Sequence, residues 1–127
     1  MRAVQTVGDL ELPYDYRECI SEYIQNLSRI PFISRVILFG SCAEGTVKRF
    51  SDIDIFIIAN REITKDEEVL VMAYCYPEHA VGKIPMDIIV QPESVYSKHV
   101  ETLGMVQQQV NEYGVDLSGL LRQRTEE

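Results

Sequence analysis

Two apolar runs held apart by a short polar stretch constrain this chain more than any other feature. The first, Val36-Ile37-Leu38-Phe39, stops at Gly40-Ser41; ten residues separate Ser41 from Asp52, and Asp52 and Asp54 precede the second run, Ile55-Phe56-Ile57-Ile58. Short β-branched and aromatic runs bounded by turn residues are the pattern of buried strands. Residues i and i+2 of a strand face the same way, about 7 Å apart, so Asp52 and Asp54 share a face. Carboxylates so spaced reach across to hold one or two hard cations. A Gly-Ser turn after the first strand frees N–H groups and a hydroxyl for phosphate oxygens. A phosphate cradle beside metal-binding carboxylates points to phosphoryl-group chemistry.

Each part has a plainer reading. Gly-Ser alone is an ordinary turn, and Ser51-Asp52 is an ordinary cap or turn before a strand. Asp54 resists that reading, because Asp is depleted inside strands and four large apolar residues follow it. A carboxylate enclosed there costs several kcal/mol unless paired or metal-bound. Asp87, in Pro85-Met86-Asp87-Ile88-Ile89-Val90, poses the same question on a later strand. Its alternative is pairing with a buried Arg or Lys, which the neighbouring sequence does not offer.

The spacing Gly-Ser, ten residues, Asp-x-Asp resembles the signature of the nucleotidyltransferase superfamily that shares the DNA polymerase beta catalytic fold. Within it, the short chain is similar to the minimal nucleotidyltransferases, stand-alone prokaryotic domains. Gly40, Ser41, Gly45, Ser51, Asp52 and Asp54 fall where that family places them, with Asp87 as the third carboxylate. The resemblance implies an α+β, two-layer fold: a small mixed β-sheet with helices packed mainly on one face. It also implies a reaction in which an NMP, AMP from ATP or its counterpart from another NTP, moves to an acceptor hydroxyl and pyrophosphate leaves. Asp52, Asp54 and Asp87 are then the catalytic residues and the ligands of two magnesium ions, with Asp87 as general base or as the group that orients the nucleophile. Gly40, Ser41, Lys48, Arg49 and Ser51 are the phosphate-binding residues.

Family members of this kind act as antitoxins beside small helical HEPN-type toxins, so the resemblance implies such a protein as acceptor. The alternative is a binding module that keeps the fold and neutralises its partner by contact; a small-molecule-modifying enzyme ranks lower, because so short a chain encloses little. A partner protein or a second copy in a homo-oligomer is expected to complete the open site. One departure favours the contact-only alternative. Similar proteins carry basic residues just after Gly-Ser, where this chain has Cys42, Ala43 and Glu44.

At 127 residues the chain is expected to be one nucleotidyltransferase domain, residues 1–127, with 1–13 a lead-in and 118–127 a frayed tail. A net charge of −8 argues against non-specific nucleic-acid binding, which rests on basic patches. It does not disfavour a nucleotide that arrives with metal. Cys19, Cys42 and Cys75, three cysteines without CxxC spacing, read as reduced thiols. No apolar run approaches a membrane span, and a cytoplasmic location is expected.

Along the chain, Asp15 and Glu18 suggest a capping box. The helix it opens carries Cys19, Ile20, Tyr23, Ile24, Leu27 and Ile30 on one face, before Pro31. Thr64 and Glu67 suggest a second box, opening a helix through Val69, Leu70, Met72 and Ala73. His79 reads as a solvated loop residue. A last helix is expected from Pro92-Glu93, its stripe running through Tyr113 to a C′ glycine at Gly114, with a bend at Gly104.

Overall fold

The computed structural model describes residues 1–48, 51–78 and 84–123. Five strands form one mixed sheet: β1 (Arg2–Ala3), β2 (Ile33–Phe39), β3 (Ile53–Ala59), β4 (Met86–Pro92) and β5 (Val115–Asp116). Their order is β1-β5-β2-β3-β4. β2 and β3 are antiparallel neighbours, and β4 runs parallel to β3 at the sheet edge. The pair expected from the two apolar runs is thus the centre of the sheet. In β3, Ile53, Ile55, Phe56, Ile57 and Ile58 are all fully buried, because both faces of that strand are covered.

α1 (Tyr14–Leu27) lies on one face of the sheet. Its Ile20, Tyr23, Ile24 and Leu27 recur at helical spacing and pack with Val36, Leu38, Ile53, Ile55 and Ile57 in the larger apolar cluster. Each such large side chain, fully buried, contributes about 1.5–3 kcal/mol. The capping box expected at Asp15 is not formed. The helix already starts at Tyr14, with Pro13 as its N-cap, and Asp15 sits inside the first turn, bonding the Tyr16 N–H. A fixed φ makes proline a natural lead into a helix.

α2 (Ser41–Glu44) follows β2 directly, and α3 (Lys65–Val69) opens on the expected box, with Thr64 and Glu67 capping each other. Beyond α3 the backbone widens into a π-helical turn, Leu70–Tyr74. The long C-terminal stripe is two helices, α4 (Glu93–His99) and α5 (Val106–Tyr113). Gly104, at φ +86°, lies in the connection between them, so the expected bend is a full break. Apolar periodicity runs on across a turn that returns the chain to the same surface. With Tyr96 and Val110 these helices form a smaller cluster around Ile37, Phe56 and Ile58 on the opposite face.

Gly114 is not a left-handed cap, since its φ is −71°. Glycine is needed there for proximity: a Cβ would overlap the Val110 carbonyl and the Ile37 side chain. The terminal segments also carry structure. Val4 and Leu10, within the lead-in, are buried, and β1 pairs with β5. Ser118–Gln123 is 3-10 helical, with Leu120 and Leu121 in the core, while 124–127 lie outside the described residues.

Candidate active site

The antiparallel register of β2 and β3 sets Phe39 opposite Asp54, and the parallel register of β3 and β4 sets Asp54 beside Asp87. Ile53, Ile55 and Ile57 point toward α1, so Asp54 points to the other face, that of Phe56 and Ile58. Asp52, two residues earlier, begins on the same side, at the exposed front of β3. Phase alone therefore directs the three carboxylates to one side of the sheet. Asp54 is half-buried and Asp87 exposed. The enclosure expected for both carboxylates is partial, because β4 is an edge strand.

The parallel register sets the Asp87 carboxyl next to that of Asp54, so the two acids bear on one another. The Asp54 carboxyl is pushed up from 3.8 to about 6. Burial is the main cause, followed by the influence of the adjacent Asp87 carboxyl and the Asp52 charge. The ion pairs among the described residues, Arg61–Glu67 and Lys65–Glu68, lie elsewhere.

Gly40 closes the other side of Asp54. Its φ of +71° with ψ of −155° is a conformation essentially reserved for glycine, and a Cβ there would overlap the Asp54 Oδ2. Residue 40 therefore lets the β2–α2 turn lie directly on the carboxylate. The Gly40 carbonyl accepts from the N–H groups of Ala43 and Glu44, which leaves those of Ser41 and Cys42 without an intrahelical partner.

Ser51 does not aim its hydroxyl freely outward; its Oγ accepts from the Lys48 N–H at 2.8 Å. The Lys48 side chain is exposed, and Arg49 and His79 lie outside the described residues. Two supports for this loop were not legible in the sequence. The buried Tyr16 hydroxyl donates to the Ser51 carbonyl at 2.6 Å, and the buried Cys42 thiol donates to the Asp52 carbonyl at 3.5 Å. Tyr16 belongs to the core face of α1, and only the tertiary fold shows that its polar end reaches the site. Burial raises the Cys42 thiol to about 11, helped by Asp54 and Asp52, so it is an inert strut at neutral pH.

Among the described residues, no group of three or more His, Cys, Asp or Glu side chains forms a ready-made cage for a metal ion. The donors present nevertheless suit a hard divalent cation. They are all carboxylate oxygens, they carry surplus negative charge, and burial and the neighbouring acids hold the Asp54 carboxyl above its usual range, which a cation would offset.

This arrangement of sheet, Gly-Ser turn and strand-borne carboxylates is that of a nucleotidyl-transferring domain. The nucleotidyltransferase domain family model matches residues 17–115, and the chain belongs to that family. A crystal structure from Sulfolobus solfataricus, of a protein provisionally described as a nucleotidyltransferase, superposes with a TM-score of 0.50 at 22% identity. The match covers 66% of this chain and 75% of that one, and it shows a shared fold. No curated protein sequence matches the chain. None of the helices among the described residues is long and apolar enough to cross a membrane.

Proposed function

We propose that the chain transfers an NMP, AMP from ATP in the first instance, to a hydroxyl acceptor and releases pyrophosphate. The observation that carries this reading is the juxtaposition of Asp54 with Asp87 across the β3–β4 register, closed on its other side by Gly40. Asp52, Asp54 and Asp87 are the residues that would hold magnesium. Bound there, the metal supplies positive charge that offsets the triphosphate and favours ionisation of the acceptor hydroxyl.

The chain's own residues do the rest. The N–H groups of Ser41 and Cys42, with the Ser41 hydroxyl, bind the terminal phosphate oxygens, the exposed Lys48 adds charge, and Arg49 is a further candidate for the same role. Asp87, the more exposed of the pair, accepts the proton of the acceptor hydroxyl. The acceptor oxygen then bonds to the α-phosphorus as the bond to the pyrophosphate oxygen breaks, and the pyrophosphate carries away that electron pair. Tyr16 and Cys42 keep the Ser51–Asp52 backbone still while charge moves.

The site is open on the exposed side of β4, which suits a macromolecular acceptor; a helical HEPN-type protein presenting a tyrosine fits, with the chain acting as a cytoplasmic antitoxin. A second reading, neutralisation by contact alone, is favoured by Glu44, whose carboxylate stands one turn from the phosphate-binding N–H groups.

Incubation with α-labelled NTPs, magnesium and candidate acceptor proteins tests the reading. Label transferred by the native chain and not by Asp54→Asn supports it. Acceptor neutralised without label by both proteins supports contact alone.

A further inference from the structure

A cleft of about 300 Å³ adjoins the carboxylate pair on the same side of the sheet and meets it at Gly40. Phe39 and Val106 supply apolar wall, and Tyr113, 52% exposed, supplies an accessible aromatic ring. Gln109 adds an amide. Among the described residues, Glu44 is the one charged side chain in the lining, and no basic residue contributes. Gly104 leaves its side of the cleft bare, with nothing within 4 Å of the place a Cβ would take.

This lining is unsuited to a phosphate, which needs N–H donors or cations and would face the Glu44 carboxylate. Aromatic rings beside a carboxylate, without a competing cation, are instead the chemistry that holds an organic cation. Glu112 and, more weakly, Glu44 both hold the Tyr113 phenol above its usual range, so their negative charge bears on the ring. The protein's net charge of −8 adds attraction from a distance.

We propose that this cleft is the acceptor subsite and selects a positively charged organic group, an alkylammonium or guanidinium. The cation would sit against Glu44 and Tyr113 and leave a hydroxyl on the same molecule beside Asp54 and Asp87. On this account Glu44 is no obstacle to the triphosphate; it recognises the other substrate. The acceptor role rests on the nucleotidyl-transfer reading, whereas cation binding does not, so the two are tested apart.

The test is a backbone-amide NMR titration of the full chain, free of nucleotide and metal, with n-butylamine, n-propylguanidine and neutral n-butanol. A short peptide containing one lysine forms a further arm. The expected result is that both cations shift Glu44, Gly104, Gln109 and Tyr113, and that Glu44→Gln and Tyr113→Leu each weaken binding by about fivefold. Both positions are exposed, so the fold should survive either change. Tighter binding of the peptide than of butylamine assigns the cation to a protein acceptor, and the reverse to a small molecule; either supports the subsite. Butanol shifting the same amides as strongly, or titrations unchanged in Glu44→Gln, would overturn the proposal. These outcomes leave the NTP site untouched, and failure of NTP binding leaves cation binding standing.

Discussion

Gly40 and Asp54 are in direct apposition: the missing side chain of one is the space that the carboxylate of the other occupies. The Gly-Ser turn can therefore put a phosphate-binding surface against the strand that carries the acids. Gly40→Ala must relieve both a positive φ and an overlap, which costs about 1–3 kcal/mol. Denaturant unfolding should show that loss, and nucleotide binding should fall further than the residual stability explains, because Asp54 is displaced. Unchanged stability would mean that the turn relaxes freely.

The Asp54 carboxyl gives the free protein a signature in pH. Its folded value, about 6, lies above the ordinary 3.8, so between the two the folded state holds a proton that the unfolded chain has released. Stability from this group is therefore greatest at low pH and falls as pH rises through that window. Asp54→Asn should remove this part of the slope and leave the protein as stable or more so near neutrality, since it takes a charge out of a half-buried site beside two other acids. Thermal melts of both proteins from pH 4 to 7 check it; parallel curves would contradict it.

Tyr16 supports the site from the opposite layer. Tyr16→Phe keeps the ring in the core and removes only the hydroxyl that donates to the Ser51 carbonyl, at a cost of about 1 kcal/mol. Magnesium-dependent nucleotide binding should weaken while the α1 packing stays native. A variant with lower stability and unaltered binding would reduce Tyr16 to a core residue.

What the sequence made legible was what depends on local pattern. β2, β3 and α1 could be read because their apolar residues keep strand or helix period, and the three carboxylates because Asp is out of place in such runs. β1 and β5 escaped notice as two-residue strands, stabilised by the sheet they join and by no pattern of their own. The α4–α5 break was hidden because Val100 and Val106 continue one stripe across it. The Tyr16 and Cys42 supports join α1 and α2 to a loop distant in sequence from Tyr16. Their polar ends were invisible on faces that otherwise read as core.

A nucleotide site built from the Gly-Ser turn and the carboxylates makes itself known by binding. Calorimetric titration of each NTP into the purified chain, with and without magnesium and repeated with Asp52→Asn, tests it most directly. The expected result is binding that requires magnesium, favours ATP and is lost in Asp52→Asn. Nucleotide binding that is indifferent to both magnesium and Asp52, or no binding by the native chain with magnesium present, would contradict it.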